Sequence, residues 1–400
     1  MDRARSPDAH GHRLKMMAAL RTMQWAWLGL IVLACTLPVQ AQQTVAQRLA
    51  VRSFPSVFQA WSSADNLPRE DEWTTIARHD LIFHGAGFFG LEWNHKHEGL
   101  ADGFTVGSIK DALRRREQLL KKNPALVMLA EIRYRDAAGD FLPKGHQWWL
   151  RDEKGALVYG WEEGGYIQLD FANPALRENI AKQARAAVQS GVVDGVLLDW
   201  WDEDEERLAL VKAIRAAIGE DALILVNAND RKAPITAPYI NGFFMECDHS
   251  ATKEDWQRIR ESLMWAEKNL RAPRINCLET WFHESRKDLS LMRATTALSL
   301  THSDGMCLFS DPNPLPTPDH LHDWYSFWDK SLGRPLAPGR QLENGVTLRP
   351  FSQGFAAYNP MGNGEVTVLL PRRARSLATG RIALTHAMGD RDGDIFVLEP

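Results

Sequence analysis

Cysteine is scarce: four in 400 residues. One of them, Cys35, falls in the leading segment, and Cys247, Cys277 and Cys307 remain. An odd number cannot all pair within one chain, and no CxxC spacing offers a metal site. A disulfide framework is therefore excluded, and the three thiols read as small buried apolar groups in or beside strands. Basic excess is also missing. The first 41 residues hold five Lys/Arg and two Asp/Glu, so 42 basic and 49 acidic residues follow them. No basic patch stands out, and nucleic acid is not an expected partner. No glycine-rich phosphate fingerprint follows the first apolar run, which argues against a doubly wound nucleotide-binding sheet. Beyond the leader no apolar stretch is long enough for a stable membrane span.

The leader has its own signature. Arg13, Lys15 and Arg21 precede the apolar run Trp25 to Leu37, and Val39-Gln40-Ala41 supplies small cleavage positions. That pattern reads as a signal peptide over residues 1–41 and predicts export, to the periplasm or the outside. Val32-Leu33-Ala34-Cys35 is an imperfect lipobox, so a lipoprotein is the alternative.

What the chain does have is fifteen Trp and a rhythm of apolar runs ending in carboxylates. Strands are predicted to end at Trp61, Phe83, Tyr134, Asp199, Asn227, Met245, Leu278 and Phe309. Helical patterns lie between most of them: Pro68 to His79, Thr105 to Lys122, Asn173 to Gln189, Asp202 to Gly219, Trp256 to Leu270 and Asp288 to Leu300. A last helix is expected over Pro318 to Leu332. Eight strand–helix units between residues 52 and 333 predict an α/β fold, a (β/α)₈ TIM barrel. Asp136 to Phe171 is a long excursion expected above the barrel mouth. After Pro335-Leu336-Ala337-Pro338-Gly339, short alternating runs predict a small antiparallel β domain over 341–400. The acidic run Asp202 to Glu206 reads as a helix start, where carboxylates face the positive end of the helix dipole.

In such barrels the C-terminal ends of the strands carry the chemistry. There the chain places Glu131 on the third strand, Asp199 on the fourth, Glu246 on the sixth, Glu279 on the seventh and Asp311 on the eighth. Glycosidic cleavage needs two carboxyl groups, one to protonate the leaving oxygen and one to attack or to activate water. Asp199 and Glu246, two strands apart, are the predicted catalytic pair. Glu131, Glu279 and Asp311 are expected to bind sugar hydroxyls or Arg133. Arg133 and Asn227 complete the polar part of the substrate site. Trp61, Trp93, Trp200, Trp201 and Trp281 are expected to stack on sugar faces. The expected partner is a polysaccharide or oligosaccharide, with no cofactor and no metal.

Three motifs carry a resemblance: Asp194-Gly195-Val196-Leu197-Leu198-Asp199, Leu225-Val226-Asn227 and Phe243-Phe244-Met245-Glu246-Cys247. On these the chain resembles the bacterial hypothetical glycosyl hydrolase group of barrel fold. More distantly it is similar to the endo-α-1,4-polygalactosaminidase family. The resemblance spans about residues 52 to 333. It implies a glycosidase with Asp199 as nucleophile and Glu246 as acid/base, and it leaves an amino-sugar polymer among the substrates. The galactosaminidase pattern tends to have Asn after the Asp, where this chain has Trp200-Trp201. Two rival readings stand beside it. One is a secreted carbohydrate-binding barrel without catalysis, since fold does not fix function. The other is a metal-dependent barrel hydrolase built on His84 and His95-Lys96-His97.

Overall fold

A computed structural model describes residues 43–311 and 320–399. The predicted signal peptide and Cys35 lie outside the described residues. The chain divides into a leading unit, to Thr44, and one compact unit, Val45–Pro400.

Helix α1 (Val45–Val51) precedes the first strand, β1 (Phe58–Ala60). Then come α2 (Glu72–Ile76), β2 (Leu81–Gly85), α3 (Val106–Lys122) and β3 (Val127–Glu131). The excursion contributes a small antiparallel pair, β4 (Asp136–Ala137) with β5 (Ile167–Gln168). The alternation resumes with α4 (Pro174–Gln189), β6 (Gly195–Leu198), α5 (Glu205–Ile218) and β7 (Leu223–Asn227). It ends with β8 (Gly242–Cys247), α6 (Lys253–Asn269), β9 (Cys277–Trp281), α7 (Leu289–His302) and β10 (Met306–Ser310). Eight strands pair in parallel in the order β1-β2-β3-β6-β7-β8-β9-β10. A parallel bridge between Val57 and Cys307 closes the ring. The TIM barrel read from the sequence is the observed fold.

Local signals explain most boundaries. Asn173 caps α4 through the Ala175 amide, with Pro174 at the first helical position, where no N–H is needed. Asp204 caps α5 through the Arg207 amide, and Glu205 and Glu206 occupy its first turn. The acidic run is thus a helix start. Thr252 and Asp255 form a reciprocal capping box on α6. Gly195 is required for a different reason. A Cβ there would stand 2.1 Å from the Leu223 carbonyl oxygen of the adjacent strand. Beside it, buried Asp194 accepts hydrogen bonds from Arg48, Arg116 and the Met128 amide. The first two residues of the Asp194-to-Asp199 motif are therefore architectural, and only its last carboxylate reaches the rim.

Two links depart from a full strand–helix alternation. The link from β7 to β8 holds only a 3₁₀ turn, Ala237–Tyr239, so the fifth unit has no α-helix. Its residues carry no 3.6-residue apolar period to build one. Among the described part of Pro318 to Leu332 there is only a 3₁₀ turn, Ser326–Trp328. Trp324, Tyr325, Phe327 and Trp328 in this stretch lie against the barrel core. The aromatic cluster sets its path in place of a helical stripe.

The C-terminal residues form a six-stranded antiparallel sheet in the order β11-β12-β13-β16-β14-β15. These strands are β11 (Arg340–Gln341), β12 (Thr347–Phe351), β13 (Gly354–Asn359), β14 (Val366–Ser376), β15 (Ile382–Met388) and β16 (Asp392–Leu398). Helix α7 is buried nearly all round because it lies between the barrel and this sheet. Arg293 of α7 grips Asp392 with two hydrogen bonds, at 2.9 and 2.8 Å. The three cysteines are free and buried, and burial pushes the Cys307 thiol up to about 12. They are packing groups, as their positions in strands suggested.

Candidate active site

The barrel interior beneath the C-terminal rim is aromatic. Phe58, Phe83 and Phe244 meet inside the ring, with Phe83 and Phe244 centroids 5.0 Å apart. Trp61 stands on them, edge-on to Phe83 at 4.9 Å. This floor excludes water from beneath the polar groups above it, so ionised carboxylates there are poorly solvated.

Asp199 follows β6 directly and Glu246 lies near the end of β8. Asn227, the last residue of β7, stands between them. Its amide nitrogen donates to Asp199 Oδ1 at 2.9 Å and to Glu246 Oε2 at 2.7 Å. The two oxygens are therefore separated by no more than the sum of those bonds, about 5.6 Å. Burial pushes the Glu246 carboxyl up to about 8. The charges of Glu279 and Asp199 add to that rise, while His320 and the Asn227 amide oppose it. Glu246 thus holds its proton at neutral pH. Asp199 is also raised, first by burial and then by Glu131, with Arg133 and Asn227 favouring its anion.

Glu131 is buried, accepts the Trp61 indole N–H at 3.0 Å and pairs with Arg133 at 3.1 Å. The expected Glu131–Arg133 contact is present. Trp61, His84, Trp93, Glu131, Arg133 and Tyr166 line a cavity of about 300 Å³ at the mouth. Tyr166 comes from the excursion, and Arg133 lies over its ring at 4.8 Å. Trp93 is stacked on Phe104 at 4.1 Å and keeps one side toward this cavity.

Glu279 is fully buried in a row with His320. Ser310 donates to Glu279 Oε1, and His320 Nδ1 meets the same oxygen at 2.9 Å. His320 Nε2 lies 3.7 Å from Glu246 Oε1. Among the described residues, Glu246, Glu279 and His320 are the one trio whose ligand atoms gather closely enough for a metal. An ion uses one nitrogen of an imidazole. Here Nδ1 lies against Glu279 and Nε2 faces Glu246. His95 and His97 lie apart from it, tied to backbone atoms of their own loop and of the excursion. His84 stacks on Phe88 at 4.5 Å.

The tryptophans divide. Trp200 is 46% exposed, with the Arg135 guanidinium over its ring at 4.3 Å. Trp201 is 1% exposed and donates its indole N–H toward Thr236. Stacking on sugar was expected of both, and Trp201 is corrected to a core residue. Both lie past the end of β6, and the backbone between them turns at left-handed Trp200. Trp281 is half-buried beside His320, and its indole nitrogen has no hydrogen-bond partner among the described residues. Asp311 is corrected too: both its oxygens are held by Arg286, at 3.1 and 2.6 Å. Arg286 also bonds Asp65 and Asp323, which makes this an ion cluster joining three rim loops.

Four non-glycine residues at this rim adopt left-handed backbone: Trp61 (φ 49°), Trp200 (φ 55°), Asn229 (φ 50°) and His320 (φ 55°). Each such residue costs on the order of 1–3 kcal/mol, and such strain concentrates at functional sites. His320, Ser310 and Tyr166 are site residues that the sequence reading missed. The signal available was Asp319-His320-Leu321-His322, a polar alternation just after the eighth strand. Tyr166 carries no local signal, because the excursion's fold alone brings it to the mouth.

No family model matches the sequence, and no curated protein matches it. Solved structures do match the fold. An α-amylase from Lactobacillus plantarum is similar over 88% of this chain and 100% of its own, at 11% identity and a TM-score of 0.53. An α-amylase from Malbranchea cinnamomea covers 89% and 97%, at 8% identity and a TM-score of 0.52. The noncanonic maltogenic α-amylase AmyB from Thermotoga neapolitana covers 86% and 99%, at 13% identity and a TM-score of 0.51. At these identities the likeness is one of fold. It supports the barrel half of the resemblance seen in the sequence and carries nothing toward the polygalactosaminidases. No helix among the described residues is long and apolar enough to cross a membrane.

Proposed function

We propose that the protein is a glycoside hydrolase acting on an oligosaccharide or polysaccharide, with Glu246 as general acid/base and Asp199 as nucleophile. The observation that carries this reading is the Asn227 amide joining two rim carboxyls, one of which keeps its proton at neutral pH. Glu246 gives that proton to the leaving oxygen while Asp199 attacks the anomeric carbon. In the second step Glu246, now a carboxylate, takes a proton from the water that releases the sugar. Retaining enzymes hold their carboxyls about 5–5.5 Å apart and inverting enzymes about 6.5–9.5 Å. The bound of about 5.6 Å set by Asn227 supports retention. Arg133 stands beside the Asp199–Glu131 pair and offsets two negative charges. Trp61, Trp93, Trp200 and Trp281 supply the indole surfaces, and Glu131 and Arg133 the polar contacts. The hypothetical glycosyl hydrolase group is the family this reading favours. Export rests on the leader over residues 1–41.

The test is a reducing-end screen of the protein without residues 1–41 on plant and bacterial polysaccharides, amino-sugar polymers included. Asp199→Asn and Glu246→Gln should each remove nearly all turnover while the fold persists. Full turnover in both variants would refute the assignment. Glycan binding with no hydrolysis by the unmodified protein would support a binding barrel instead.

A further inference from the structure

The Glu279–His320 pair has no role in the reaction as described, yet it is built at a cost. His320 is 1% exposed, and its backbone is in the left-handed region at φ 55°. Its ring is stacked on Trp61 at 5.0 Å and flanked by Phe244 and Trp281. Glu279 is fully buried and comes from β9, with the Ser310 hydroxyl of β10 on the same oxygen that meets His320. Its other oxygen has no hydrogen-bond partner among the described residues. A buried carboxylate needs a counter-charge. Among the described residues, the group in contact with Glu279 that can carry one is the His320 imidazole.

Proton placement follows from the acceptors. A carboxylate oxygen only accepts, so Nδ1 of His320 carries a proton. Nε2 points to Glu246 Oε1, 3.7 Å away. With both nitrogens protonated, His320 balances Glu279 and presents a positive edge to Glu246. The groups that face Glu246 are then Asn227 and Asp199 on one side and Glu279 with His320 on the other. When Glu246 loses its proton as Asp199 bonds to the sugar, two carboxylates, Glu246 and Glu279, flank one imidazole in a dry rim. The imidazolium is the positive group placed between these two, while Arg133 serves Asp199 and Glu131.

We propose that His320, anchored by Glu279 and Ser310, is a positioning residue that holds an imidazolium against Glu246 and makes its deprotonated form tolerable during turnover. This rests on the reading of Glu246 as the proton donor. The transfer itself stays between Glu246 and the substrate oxygen. His320 neither gives nor takes a proton in the step.

The test combines a titration with kinetics. In protein labelled with ¹³C at glutamate carboxyls, the Glu246 resonance is assigned by its loss in Glu246→Gln. In His320→Gln its midpoint should move up by about one pH unit or more, the size expected for losing an opposite charge at this range. On a hydrolysed glycan, the alkaline limb of kcat/KM should move up with it, and the maximum should fall by roughly 100-fold, the lower end of general-acid effects. A packing role would lower activity with the Glu246 midpoint unchanged, and that result overturns the proposal. Should His320→Gln not fold, ¹⁵N spectra of the unmodified protein decide: both ring nitrogens protonated near pH 7 supports it, and a neutral His320 overturns it. A protein that hydrolyses no glycan yet shows the carboxyl shift supports the pairing and overturns the enzymatic reading instead.

Discussion

Asn227→Ala is the sharpest perturbation of the site. One amide nitrogen holds Asp199 at 2.9 Å and Glu246 at 2.7 Å, so a single truncation frees both. The bond to Glu246 strengthens during the first step, because the carboxyl gains charge as its proton leaves. A hydrogen bond to a charged group is worth about 1.5–3 kcal/mol. Losing it in the transition state should lower kcat/KM by about 10- to 150-fold. The pH profile separates this from simple loosening. Asn227 lowers the proton affinity of both Asp199 and Glu246, so its removal raises both. The acid limb, set by ionisation of Asp199, should move to higher pH. The alkaline limb, set near 8 by Glu246, should move up as well. The assay is kcat/KM against pH on the glycan found by the screen, with thermal melts to show that the fold persists. A folded variant within about threefold of the unmodified enzyme, with both limbs in place, would refute the bridging role.

Three further outcomes follow from burial at the rim. Glu246 is raised from 4.5 to about 8 in the folded state. Such a group favours folding below its unfolded value and opposes it as pH rises through the folded one. Glu246→Gln should therefore melt close to the unmodified protein near pH 4.5 and increasingly above it toward pH 8–9, by a gain on the order of a few kcal/mol. Equal melting at both ends would show that Glu246 is not desolvated. Trp200→Ala should raise KM with little change in unfolding free energy, because the indole is exposed. Trp201→Ala should cost about 3–5 kcal/mol in urea unfolding, because the indole is core. Reversed outcomes would return Trp201 to the substrate surface.

Much of the barrel was legible because its signals are local. Val196, Leu197 and Leu198 read as a strand buried on both faces, and they are. Asn173-Pro174, Asp204 and Thr252 start helices by capping chemistry that needs no tertiary partner. The link after β7 and the stretch after residue 320 were less legible. Their paths depend on which apolar surface is left to cover, which no window of sequence contains. The same limit separates Trp200 from Trp201. Composition treats them alike, and their opposite fates follow from the left-handed turn at Trp200 and the docking of Trp201 near Thr236 and Tyr134.

Alone, the sequence determined the strand–helix alternation, the carboxylates at strand ends and the candidacy of Asp199 with Glu246, because periodicity and strand polarity fix which end a residue occupies. Tertiary structure alone decided how those ends converge. It set the Asn227 bridge, gave Asp311 to Arg286 and brought His320 from beyond the eighth strand to the side of Glu246. Proton affinities in that rim depend on burial and on charges that lie far apart along the chain. They exist only once the ring has closed.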